Sequence, residues 1–197
     1  MLLSVTPSED LFSITWTLGP RCNFECSYCP PRLHDKTSPH LSLDDMKARW
    51  EDILTKSRHI DKQYKLSFTG GEVTVNPDFL PFLHWLKEQH GESIASLGFT
   101  TNGSASMRYY IECMDLVDYI SFSSHYEFMN VDKFKKNVLA CHIKSVKRRK
   151  TIYVNIMDES FSQPEIQDLV QFCLKHRIPH DKNPIDWSVS ARGKPLL

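Results

Sequence analysis

Six short stretches of the chain alternate apolar with small polar residues. They are LFSITWTL (11–18), KLSFT (65–69), SLGFTT (96–101), YISFSS (119–124), TIYVNIM (151–157) and IDWSVS (185–190). A period of two marks strands whose two faces meet different surroundings. Between these stretches apolar residues recur every three or four positions, as on a helix packed along one stripe. Leu43, Met46, Trp50, Ile53 and Leu54 make such a stripe in residues 42–57, with Ser42 placed to cap it. Residues 76–90 open on Asn76 and Pro77, a cap followed by proline at the first helical position. A shorter helix is expected near 105–115. Val131, Phe134, Val138, Leu139 and Ile143 mark another over 130–147. Ser162 and Glu165 stand at capping-box spacing at the start of a fifth, over 162–176. Six strands alternating with five helices predict a parallel α/β domain spanning residues 1–197.

The strands carry a second signal. Parallel strands buried on both faces read as continuous apolar runs, and these do not. Phe12, Ile14, Trp16 and Leu18 interleave with Ser13, Thr15 and Thr17; Leu66 and Phe68 with Ser67 and Thr69; Ile120 and Phe122 with Ser121 and Ser123. Ile152, Val154 and Ile156 flank Asn155 in the same manner. One face is built to pack helices and the other to line a polar lumen, as in a barrel that holds a ligand. An antiparallel sheet with one wet face is the alternative, and the intervening helices argue against it.

Composition narrows the function. Lys plus Arg equals Asp plus Glu at 24 each, so no global field favours nucleic acid or an acidic membrane. The start MLLSVTPSED lacks a basic region followed by a long apolar run, and no stretch nears the roughly 18 apolar residues of a membrane span. A cytoplasmic protein is expected. In a reducing compartment, a tight cysteine cluster reads as a metal site before it reads as disulfides.

Such a cluster follows the first strand. CNFECSYC places Cys22, Cys26 and Cys29 within eight positions. A four-iron cluster normally takes four thiolates, so three would leave one iron with an open position. Closed metal sites are structural, whereas catalytic ones keep a position free. Zinc is the competing reading, with His34 or His40 as fourth ligand. Two further loops bear on the choice. FTGGEV (68–73) leaves the second strand with two glycines, which allow close backbone approach, and with Glu72, an acceptor suited to an ammonium group. TTNGS (100–104) leaves the third strand with a turn at Asn102-Gly103 and an amide able to bind a polar ligand. In a parallel barrel, loops after successive strands share the active face.

CNFECSYC followed by GGE and TNG resembles the radical S-adenosylmethionine (radical SAM) enzymes, over roughly residues 11–160. The resemblance implies a partial (β/α)6 TIM-like barrel. It implies a [4Fe-4S] cluster on Cys22, Cys26 and Cys29, with S-adenosyl-L-methionine on the open iron. Tyr28 would lie by the adenine. Gly70, Gly71 and Glu72 would meet the methionine amino group, with Asn102 alongside. Ser123 would contact ribose or carboxylate, and Asn155 resembles the fifth-strand asparagine of the branch containing molybdenum-cofactor and peptide-modifying enzymes. The implied chemistry is one-electron cleavage of the sulfonium to methionine and a 5′-deoxyadenosyl radical, which takes hydrogen from a small or exposed substrate. A reductant such as flavodoxin or ferredoxin would supply the electron. A glycyl-radical activase acting on a partner protein is a second possibility, and a zinc-binding or electron-transfer module a third.

Other residues stand beside this motif. Cys113, Cys141 and Cys173 are scattered through helices and read as core thiols, which leaves a single cluster. His125, in SSHYEF after the fourth strand, is a candidate to orient substrate or move a proton. Arg192, after the sixth strand, is a candidate for an anionic group of the substrate. The basic run KSVKRRK (144–150) ends a helix and precedes a strand, which puts it on the far face.

Overall fold

The computed structural model describes residues 10–30, 34–158 and 163–185. Its elements are β1 (Leu11–Thr17), α1 (Leu43–Ser57), β2 (Gln63–Thr69), α2 (Phe79–His90), β3 (Ile94–Thr101), α3 (Met107–Leu116), β4 (Tyr119–Ser124), α4 (Val131–Arg148), β5 (Thr151–Asp158), α5 (Gln163–His176) and β6 (His180–Pro184). The six strands form one parallel sheet in the order β1-β2-β3-β4-β5-β6. This is the open α/β sheet of a partial barrel.

The two-faced pattern is realised. Leu66, Phe68, Phe99, Ile120, Phe122, Val154 and Ile156 are fully buried beneath the helices. Each such side chain contributes on the order of 1.5–3 kcal/mol by leaving water. Met46 and Trp50 of α1 and Phe82, Leu83 and Leu86 of α2 meet them. On the opposite face Ser13, Thr15 and Thr17 of β1 are exposed, and Tyr119 lies over Gly98 at the point where β3 pairs with β4. A Cβ at Gly98 would come within 2.4 Å of the Tyr119 ring.

Three expectations change. The helix expected from Pro77 begins at Phe79, with Asp78 at its N-cap position. Asn76 is spent elsewhere: Oδ1 accepts the Asp78 N–H and Nδ2 donates to the Leu41 carbonyl. Asp78 in turn accepts the Leu43 N–H at the start of α1. The stripe on α4 does not include Ile143, which is 52% exposed; Phe134, Val138, Cys141 and Ser145 carry the buried face. A strand that the pattern did not predict lies at 180–184. HDKNP has no apolar alternation to reveal it, and among the described strands β6 pairs with β5 alone. Residues 186–190, Ser162 and Arg192 lie outside the described residues. No helix among the described residues is long and apolar enough to cross a membrane.

Candidate functional site

Backbone hydrogen bonds join the loop after β1 to the loop after β2. Gly71 N–H donates to the Gly19 carbonyl and Glu72 N–H to the Arg21 carbonyl, each at 2.9 Å. Contact this close requires glycine. A Cβ on Gly70, whose φ is +143°, would sit 2.5 Å from the Gly19 oxygen; one on Gly71 would sit 2.3 Å from that of Arg21. Cys22 N–H donates to Asp35 and Asp35 N–H returns to Pro20, which closes the base of the cysteine loop.

The loop after β3 joins the same unit. Asn102 donates to Asn23 Oδ1 at 2.9 Å and lies 4.0 Å from the Cys22 sulfur. Glu72 locks it from below. Its carboxylate accepts from Asn102 N–H (2.5 Å), Thr101 Oγ1 (2.7 Å), and both Thr74 N–H (3.0 Å) and Oγ1 (2.7 Å). Tyr110 Oη extends the network through Thr101. Burial pushes the Glu72 carboxyl up, and these hydrogen bonds oppose it. Glu72 was expected to meet a bound ammonium group. Its carboxylate here is occupied by protein donors, and it is absent from the walls of the cavity described next.

That cavity, of about 250 Å³, is walled by Cys22, Cys26, Cys29, Tyr28, His34, Gly70, Gly71, Asn102, Ser123 and His125, with Phe24 and Met157. Asn155 stands beside Ser123 across the β4–β5 pairing but outside these walls. Its amide donates to Ser121 at 2.7 Å and accepts from Asn183 at 3.3 Å. His40 is likewise outside, and His34 alone of the two suggested zinc ligands reaches the cavity. Among the described residues no three His, Cys, Asp or Glu side chains form a set for a single metal ion.

The donor set suits an iron–sulfur cluster. All six cysteines are free of disulfides, and three share this cavity. Phe24 N–H lies 3.4 Å from the Cys22 sulfur, the kind of contact that stabilises thiolate character. Burial raises the Cys22 and Cys29 thiols, and at Cys29 the neighbouring Cys22 adds to it. From the three sulfurs the cavity extends to Gly70, Gly71, Asn102, Ser123 and Met157.

A family model, the Radical SAM superfamily, matches residues 16–125. This chain belongs to the radical SAM superfamily. The family's cofactors are a [4Fe-4S] cluster and S-adenosylmethionine, in keeping with the cysteine loop. Molybdenum cofactor biosynthesis protein 1 of Bos taurus is 34% identical over 89 residues, 44% of this chain and 13% of that protein. The GTP 3',8-cyclase of Pasteurella multocida (strain Pm70) is 32% identical over 85 residues, covering 42% of this chain and 23% of the cyclase. The chain thus spans only a fraction of the length of these curated relatives. Among solved structures, Streptococcus suis SuiB bound to S-adenosylmethionine superposes with a TM-score of 0.68 at 18% identity, over 94% of this chain and 43% of SuiB. The structure of anSMEcpe with bound AdoMet gives 0.61 at 14% identity, over 90% of this chain and 50% of that one. These two show a shared fold.

In this radical SAM chain, His125 faces the cysteine loop as its position after β4 predicts. Its ring stacks on Tyr28 at 5.9 Å and 18°, and Nδ1 is 2.6 Å from Tyr28 Oη. Burial lowers its pKa to about 4. Its folded value therefore lies below the unfolded one near 6.5. As pH falls through 6.5 toward 4 the unfolded chain takes a proton that the folded chain refuses, and stability is lost. Urea unfolding of the metal-free protein should show a loss of at most about 3 kcal/mol across this window. A His125→Gln variant should lose measurably less over the same window.

Glu127, two residues on, was visible in the sequence without an assigned partner. It accepts both the backbone N–H and the hydroxyl of Ser27, within the cysteine loop. The basic run lies at the other end of the strands, as expected, but its role is not confined to its own helix. Lys144 and Lys150 donate to the Ile111 and Met114 carbonyls at the end of α3, and Arg148 pairs with Asp115 at 2.9 Å. Lys147→Ala, Arg148→Ala and Arg149→Ala combined should leave S-adenosylmethionine cleavage unchanged. Thermal unfolding should register a cost of about 1 kcal/mol or less, since exposed pairs contribute little.

Proposed function

We propose that the chain cleaves S-adenosylmethionine reductively and directs the resulting radical to a small or exposed substrate in the polar lumen. The observation that carries this reading is the convergence of three cysteines, none in a disulfide, the Gly70-Gly71 strand end, Asn102 and Ser123 on one cavity. Cys22, Cys26 and Cys29 would hold the cluster, which supplies the electron that breaks a carbon–sulfur bond. Gly70 and Gly71 offer backbone to the methionine end, and Ser123 a hydroxyl to ribose or carboxylate. Tyr28 and His125 form an aromatic wall for the adenine. Met157 also lines the cavity, and the hydrogen-bonded row Ser121–Asn155–Asn183 lies outside its walls. A flavodoxin or ferredoxin is the proposed reductant.

The relatives named GTP 3',8-cyclase favour a second reading, in which a nucleoside triphosphate is the substrate. A triphosphate calls for Arg or Lys donors. None lines the cavity among the described residues, and Arg192, the candidate for an anionic group, lies outside them.

Anaerobically reconstituted protein with dithionite and S-adenosylmethionine is expected to release 5′-deoxyadenosine and methionine in equal amounts. Adding GTP and following its consumption tests the second reading. A protein that binds iron yet releases no 5′-deoxyadenosine defeats the first reading, and GTP consumption establishes the second.

A further inference from the structure

We infer that Glu127 is a positioning residue that fixes the Cys26–Cys29 turn and tunes the reducibility of the cluster held there. The inference rests on the cysteine loop being the cluster site. Its basis is a contact that joins residues one hundred positions apart. Glu127 Oε2 accepts the Ser27 N–H at 2.6 Å, and Oε1 accepts the Ser27 hydroxyl. Ser27 is the residue after Cys26 and the second before Cys29. The same turn is closed by Cys29 N–H donating to the Cys26 carbonyl at 3.1 Å. One carboxylate therefore takes up every donor that Ser27 possesses.

Two physical consequences follow at the sulfurs. First, the orientation of the turn is set from outside the loop, by the segment after β4. That segment is itself fixed, because the N–H groups of Phe128 and Met129 both donate to the His125 carbonyl. His125, two residues before Glu127, stacks on Tyr28 of the same turn. The β4 segment thus grips the turn at Ser27 and at Tyr28. Second, cluster potentials respond to net charge and to hydrogen bonds near the sulfurs. A carboxylate on Ser27 places negative charge beside the turn. It also draws the Ser27 N–H away, so that this amide does not donate to sulfur. Both effects oppose addition of an electron.

Glu127→Gln keeps an acceptor for Ser27 but removes the charge. At fixed solution potential, the ratio of reduced to oxidised cluster should rise by about tenfold, as loss of one charge at this range implies. Iron and sulfide content should match the parent. Glu127→Ala should also change the electron paramagnetic resonance signal of the reduced cluster, because the turn is released, and Glu127→Gln should restore its shape. Ser27→Ala should shift the ratio less, and the Ser27→Ala/Glu127→Gln pair should be non-additive. If Glu127→Gln fails to hold iron while the metal-free protein melts as the parent does, the positioning role stands. If the metal-free variant melts lower by the same free energy as the iron site loses, Glu127 is a general fold contact and the inference is overturned. It is also overturned if ratio and signal match the parent, or if the double variant is additive. A parent that takes up no iron defeats the cluster reading and this inference together; a parent that cleaves S-adenosylmethionine alongside an indistinguishable Glu127→Gln defeats this inference alone.

Discussion

Cys26→Ala is expected to bring reconstituted iron from about four atoms per chain to near zero. S-Adenosylmethionine cleavage should fall with it by more than about 100-fold, because even outer-shell losses at metal sites cost roughly 10–100-fold. Cys26 sits in the turn that Cys29 N–H closes, and two thiols cannot replace three. Cys141→Ala is the contrast. Cys141 is fully buried among the apolar side chains of α4, and burial pushes its thiol up to about 12. Its loss should cost stability as a small cavity does, on the order of 1 kcal/mol, and leave iron and cleavage at parental levels. Iron analysis and 5′-deoxyadenosine release on both variants check the division. Equal iron loss in the two would show that the cysteines have been sorted wrongly.

Gly71→Ala should be nearly as damaging although it removes nothing. The added Cβ would meet the Arg21 and Pro20 oxygens at 2.3 and 2.4 Å, and neither is a side chain that can swing aside. The cysteine loop must move, at a strain of roughly 1–3 kcal/mol. Iron retention should drop sharply while far-ultraviolet circular dichroism stays near that of the parent, since β2 and its neighbours are untouched. Full iron loading in Gly71→Ala would mean that the loop tolerates displacement and that the two glycines are not what places it.

The elements that sequence revealed are those in which burial repeats with a period. Leu66 and Phe68, or Met46 and Trp50, announce their strand and helix because every second or every third-to-fourth residue leaves water. β6 escaped because HDKNP is polar and lies beside one strand only among those described. The start of α2 was misplaced because Asn76 looks like a cap from its neighbours, and its reach to Leu41 is a tertiary contact. The site divides in the same way. The meeting of Cys22, Cys26 and Cys29 on one cavity was legible because their spacing keeps all three in one short loop. The placement of Glu72 beneath the Asn102 loop was not, since a carboxylate that binds ligand and one that binds backbone look alike in sequence. Ser27 and Glu127 are one hundred residues apart, and no local pattern pairs them. His125 fell where the β4 end predicts, because strand direction carries that information without any contact.

The burial of the other three thiols makes the native chain its own gauge of loading. Cys113, Cys141 and Cys173 are fully buried and their thiols are raised well above the ordinary value. Alkylating reagents attack exposed thiolate, so these three are shielded for as long as the core stays closed. Any rapid labelling must come from the loop, where Cys22 and Cys29 are part-exposed. Mass spectrometry after a brief alkylation pulse therefore reads the fraction of molecules whose loop is empty, without reference to colour or turnover. The same pulse under denaturant counts all six.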